Sequence, residues 1–151
     1  MLNEDYKEML SALVEEKVEF LLIGAYALAV FGVPRATVDL DLFVKPSPEN
    51  AAKLMQALAR FGAPMDQINV KDFEHDDTIF QIGVAPRRID ILTGITALNF
   101  DEASKNAIDA TIEGIQLKVI SIQNMIKNKT AIGRTKDLAD TEILKKIATP
   151  S

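Results

Sequence analysis

The sequence predicts an α/β fold of the α+β kind, a mixed β-sheet flanked by helices, in one domain spanning residues 1–151. Three observations lead there. Helix-period and strand-period stretches are interleaved along the chain. Several strand candidates follow one another in sequence without a helix between them. A length of 151 residues with 48% apolar content suits a single core.

The elements can be justified in order. Residues 4–17 read as an amphipathic helix with Tyr6, Met9, Leu10 and Leu13 on one face. Val18 to Ile23 is a short apolar run of buried-strand type. Gly24 breaks it, and Ala25 to Phe31 reads as a helix ended by Gly32 and Pro34. Val38 to Val44 alternates as a strand does. Pro46 ends it, Ser47 can cap, and Pro48 stands where a helix accepts proline, so Glu49 to Arg60 is a helix stopped by Gly62. Thr78 to Val84 and Arg88 to Leu92 are two further strands. Phe100 to Ala107 is a short helix, and Asp109–Glu113 with Gln116–Ile120 forms a hairpin turning at Gly114. Ser121 caps a helix over Ile122–Ile132, Gly133 breaks it, and Lys136 to Ile147 is the last helix.

Composition narrows the chemistry. The chain has no cysteine, which excludes disulfides, thiolate zinc sites and thiol nucleophiles and fits a reducing cytoplasm. The longest apolar stretch, Phe20 to Gly32, is interrupted by glycine and too short to span a bilayer. The acidic amphipathic N-terminus does not resemble a signal peptide, so a soluble, cytoplasmic protein is expected. A net charge of −5 argues against binding nucleic acid by bulk charge. The segment from Ile115 to Lys146, however, carries seven basic residues against three acidic ones. That excess reads either as a local anion site or as solvated helix faces.

The strand around Asp39 and Asp41 carries the functional argument. Side chains alternate across a strand, so these two carboxylates share one face, where they repel, and Asp is a poor strand former. Asp90 repeats the anomaly inside the apolar run Arg-Ile-Asp-Ile-Leu. A buried unpaired carboxylate costs several kcal/mol or must take a proton. Three acids gathered on neighbouring strands become favourable with a divalent cation between them, and hard oxygen donors without Cys, beside a lone His, point to Mg²⁺ or Mn²⁺ rather than zinc. That set suits phosphoryl or nucleotidyl transfer. Gly24, fifteen residues before Asp39, stands between a strand and a helix, where backbone N–H groups can approach an anion. Taken alone it reads as a helix-start glycine.

Together, Leu22-Ile23-Gly24-Ala25, then Pro34 to Leu42 with its Asp39-x-Asp41 pair, then Arg88 to Gly94 with Asp90, resemble the nucleotidyltransferase superfamily of DNA polymerase β and the small bacterial nucleotidyltransferases. The order and spacing match over most of the chain. The ending, Asn128-Lys129-x-Ala131-x-Gly133-Arg134-x-Lys136-Asp137-Leu138-Ala139-Asp140, is similar to small bacterial members, including some from toxin–antitoxin or abortive-infection systems. The resemblance implies the nucleotidyltransferase fold and a metal held by Asp39, Asp41 and Asp90. It further implies a nucleoside triphosphate held by Gly24, Ala25, Arg35, Thr37, Lys129, Arg134 and Lys136. The alternative for each basic residue is a surface charge or an ion pair to Asp137 or Asp140.

Two features depart from the pattern. Ala25 stands where the superfamily usually has Gly or Ser and offers phosphate no hydroxyl. No acceptor-binding domain is expected from these residues, so the acceptor is expected to meet an open cleft, a partner protein or a second copy. That acceptor, whether RNA, a protein side chain or a small molecule such as an aminoglycoside, is left undecided. A catalytically weak nucleotide- or partner-binding module, such as an antitoxin component, is the competing class. His75 reads as a surface residue, and Met9, Met55, Met65 and Met125 as core filler.

Overall fold

A computed structural model describes residues 2–33, 39–84 and 87–148. Chain order gives helix α1 (Glu4–Glu15), strand β1 (Phe20–Ile23), α2 (Gly24–Val30), β2 (Leu40–Val44), α3 (Pro48–Phe61), β3 (Ile79–Ile82) and β4 (Ile89–Leu92). There follow α4 (Phe100–Lys105), β5 (Ile108–Ile112), β6 (Ile115–Val119), α5 (Ile122–Ile132) and α6 (Thr135–Ala148). Every predicted element is present, with ends shifted by a residue or two. Two 3₁₀ turns, Met65–Gln67 and Val70–Glu74, bridge α3 to β3 where no element was predicted.

The starts and stops have local causes. Asn3, Ser47, Asn99 and Ser121 accept the first free N–H groups of α1, α3, α4 and α5. Gly62 and Gly133 end α3 and α5 in the left-handed conformation.

The six strands form one mixed sheet in the order β3-β4-β2-β1-β6-β5. β1 and β2 are antiparallel, β2 and β4 parallel, β3 and β4 antiparallel, β1 and β6 parallel, and β5 and β6 an antiparallel hairpin. Leu22 on β1, Leu40 and Leu42 on β2, and Ile89 and Ile91 on β4 share one face. They pack into the main core with Tyr6, Met9, Leu10 and Leu13 of α1 and Leu54 and Leu58 of α3. The other face divides along its length. At one end Leu21 and Phe43 lie under Phe100 and Ala103 of α4, with the Phe43 and Phe100 rings edge-on at 5.3 Å. At the other end the same face carries carboxylates and opens into a cleft. Among the described residues no helix is long and apolar enough to cross a membrane.

Candidate active site

The register of β2 on β4 creates the site. Asp41 lies directly across from Asp90, and Asp39 stands on the same face one residue before β2. On the opposite side Asp41 neighbours Ile23, the last residue of β1, after which the chain turns into α2. Gly24 makes that turn at φ +70°, and a Cβ there would overlap the Asp41 carboxylate. Glycine is therefore required twice, for its conformation and for the close approach of Asp41. It serves the carboxylate directly.

Arg88, one residue before β4, points to the same face by the alternation that places Asp90 there. Its Nε donates to Asp90 Oδ1 at 2.7 Å, and Nη2 lies 3.2 Å from Asp90 Oδ2 and 3.1 Å from Asp39 Oδ2. Its backbone N–H donates to Asp39 Oδ1 at 3.0 Å. The bond to Asp90 is the main reason its guanidinium is held more firmly protonated than usual. Asp90 itself is only 8% exposed. Burial pushes the Asp41 carboxyl up to about 7. A hydrogen bond to Asp90 and the charges of Asp90 and Asp39 act in the same direction, and only Arg88 opposes them.

Among the described residues, no three of the His, Asp and Glu side chains surround a common point as a ready metal-ligand set. The expected three-carboxylate centre is thus not laid out as such. Without a cation three carboxylates repel; here the guanidinium takes Asp39 and Asp90, and burial beside Asp90 pushes the Asp41 carboxyl up. The donor chemistry still fits a hard divalent ion: oxygen ligands only, registered on one face, with a guanidinium against two of the three.

These groups open into a cleft of about 830 Å³. Gly24, Ala25, Asp39, Asp41, Arg88 and Asp90 line it from the sheet side and α2, and Lys129, Arg134, Lys136, Asp137 and Asp140 from α5, α6 and the turn between them. The structure therefore brings together Gly24, Ala25, the three carboxylates, Lys129, Arg134 and Lys136. Arg35 and Thr37 lie outside the described residues. Lys129 is ion-paired, its Nζ 3.0 Å from Asp140 Oδ2 and 3.5 Å from Asp137 Oδ1, and Arg134 Nε lies 2.6 Å from Asp137 Oδ2. Lys129 and Arg134 are thus ion-paired to Asp137 and Asp140, and with Lys136 they also line the cleft. A smaller hollow of about 510 Å³ lies over the β5–β6 hairpin, where the charged lining residues Asp109 and Lys118 neutralise each other at 2.9 Å. His75 is exposed, Met9 and Met125 are buried, and Met55 and Met65 pack partly buried against the core.

Sequence reasoning assigned no role to Arg88 and gave Asp137 and Asp140 only as alternative ion-pair partners of the basic residues. Period-two alternation would have put Arg88 beside Asp90. The burial of the two aspartates had no such local signal, because it follows from how α6 packs.

With this geometry in view, the family model described as "Nucleotidyl transferase of unknown function (DUF2204)" matches residues 2–150. The chain belongs to that family. No curated protein matches it in sequence. Among solved structures this family member is similar to the Thermotoga maritima protein TM1012, a nucleotidyltransferase candidate, with a TM-score of 0.57 at 15% identity, covering 97% of this chain and 94% of that one. It is also similar to the antibiotic-resistance factor ANT(2″)-Ia in solution, with a TM-score of 0.60 at 16% identity, covering 96% of this chain and 83% of that one. ANT(2″)-Ia crystallised with adenylyl-2″-tobramycin gives a TM-score of 0.58 at 14% identity, covering 95% and 87%. At such identities the likeness shows the nucleotidyltransferase fold.

Proposed function

We propose that this protein transfers a nucleoside monophosphate from a nucleoside triphosphate to an acceptor hydroxyl, using Mg²⁺ or Mn²⁺ held by Asp39, Asp41 and Asp90. The observation that carries the reading is the β2–β4 register, which sets Asp41 against Asp90 on the face that opens into the cleft. A divalent cation bound there supplies charge neutralisation to the triphosphate and the leaving pyrophosphate. Asp90 accepts the proton of the acceptor hydroxyl as its oxygen bonds to the α-phosphorus and the bond to pyrophosphate breaks. Arg88, which holds Asp39 and Asp90, would offer its planar fork to phosphate oxygens were those carboxylates to hold a cation. Gly24 and Ala25 contribute backbone N–H groups, and Arg35, Thr37, Lys129, Arg134 and Lys136 hold the triphosphate. The acceptor class, whether RNA, protein or a small molecule, is open.

Ala25 and the exposed Leu138, Ile143 and Ile147 favour a second reading, a weakly catalytic module that docks on a partner or a second copy, as an antitoxin would. Thermal unfolding with each nucleoside triphosphate, with and without Mg²⁺, separates the two. A Mg²⁺-dependent rise in midpoint for the wild type, lost in Asp39→Asn, supports the enzyme and leads to transfer assays with labelled nucleotide. Absence of any rise, or a rise that survives Asp39→Asn unchanged, sinks the metal-site reading.

A further inference from the structure

Helix α6 is built against the usual order of burial. Its buried residues are Asp137, Asp140, Thr141 and Leu144, while Leu138, Ile143 and Ile147 are 46%, 41% and 40% exposed. A helix shaped by packing alone turns its aliphatic side chains inward. Burying two carboxylates carries a desolvation penalty that their partners only offset, and well-packed apolar replacements are often neutral or stabilising. Stability therefore does not explain why this helix faces the core with acids.

Their partners do. Asp140 and Asp137 both take the Lys129 ammonium, whose side chain is 13% exposed, and Asp137 also binds Arg134 through Nε and, at 3.3 Å, through Nη2. The hydrogen bond from Arg134 is the main reason the Asp137 carboxyl stays below its ordinary range, with Lys129 adding to it against burial. The Thr141 hydroxyl donates to the Asp137 carbonyl at 2.9 Å and ties the same turn down. All four charged residues, with Lys136, line the cleft that holds Asp39, Asp41 and Asp90. Three cations against two carboxylates leave this wall positive by one charge. A lysine has a long flexible stem, and fixing it costs up to about 2 kcal/mol of rotamer entropy; here folding has already met that cost.

We propose that Asp137 and Asp140 are positioning residues, which hold Lys129 and Arg134 in the cleft wall to receive the phosphates of a bound nucleotide. The inference rests on the reading of the cleft as a nucleotide site. Its test is a double-mutant cycle on the affinity of a non-hydrolysable ATP analogue with Mg²⁺, measured calorimetrically on wild type, Lys129→Met, Asp140→Asn and the double variant. Each single change is expected to weaken binding about tenfold, and the double variant to bind no worse than Lys129→Met alone. Midpoints of unfolding are recorded in parallel, because a purely structural Asp140 would move them without coupling to Lys129 in binding. Asp140→Glu, which keeps the charge, is expected to recover part of the loss, and carries the test if Asp140→Asn does not fold. Wild-type affinity in Asp140→Asn, or additive losses in the double variant, overturns the positioning role alone. Failure of the wild type to bind overturns the nucleotide reading and this inference with it.

Discussion

Asp41 is flanked by Asp90 on one strand and by the glycine of the β1–α2 turn on the other. In metal-free buffer its raised carboxyl makes a signed prediction. The folded chain keeps a proton between about pH 4 and 7 that the unfolded chain gives up, so this group lowers stability as pH rises through that window. Asp41→Asn removes the penalty. With EDTA present the variant should match the wild type near pH 4 and gain on it towards pH 8, by on the order of 2–3 kcal/mol once partial exposure is discounted. Denaturant unfolding across that range measures the gap, and a gap that shrinks with pH would refute the assignment. Gly24→Ala acts on the same carboxylate from the other side. It forces a side chain into the left-handed region and against Asp41, and should cost roughly 2–4 kcal/mol, read as a lower denaturation midpoint with unchanged slope.

At the scale of elements, Ser47 and Asn50 at the start of α3 do different jobs. Ser47 accepts one helix N–H, and Ser47→Ala should cost about 1 kcal/mol. Asn50, 1% exposed, accepts from Glu19 N–H at 2.7 Å and donates to the Glu19 and Lys45 carbonyls at 3.0 Å each. Both carbonyls keep another partner, from Lys45 and Ser47, but the Glu19 N–H does not. Asn50→Ala should therefore cost more, roughly 2–3 kcal/mol, and a result below that of Ser47→Ala would show that water replaces the side chain. The contrast also marks what was legible in the sequence. Ser47 before Pro48 announced a cap because capping is local, and Asp39, Asp41 and Asp90 announced themselves because period-two alternation is local too. Asn50 looked like an ordinary helix residue, since its partners lie just before β1 and just after β2. The 3₁₀ turns between α3 and β3 show no period to read. The strand order, with β4 lying beside β2, is set by tertiary packing, and so is the inward turn of Asp137 and Asp140 on a helix whose apolar residues are scattered around its circumference.

At the scale of the whole molecule, the sheet is not held together evenly. Strands β2 and β4, β1 and β2, and β3 and β4 are each joined through four registered pairs, whereas β6 joins β1 through Leu22 and Val119 alone, supported by the Ile120 N–H to the Leu22 carbonyl at 3.1 Å. The hairpin β5–β6 is well paired within itself, yet β5 buries none of its residues fully. The buried side chains Leu117, Val119 and Ile120 anchor it to the main core. Unfolding should therefore proceed in two steps under native conditions. Amides of β1, β2 and β4 should exchange only through global unfolding, and those of β5 through an opening that lies at least about 1 kcal/mol lower. Hydrogen exchange followed at rising sub-denaturing urea distinguishes the cases, because a sub-global opening shows a shallower urea dependence than the global one. Equal exchange free energies and slopes in β2 and β5 would mean that one cooperative unit spans the sheet. Asp39, Asp41 and Asp90 sit on the slow strands or immediately before them, so the carboxylate site should keep its geometry while the hairpin opens.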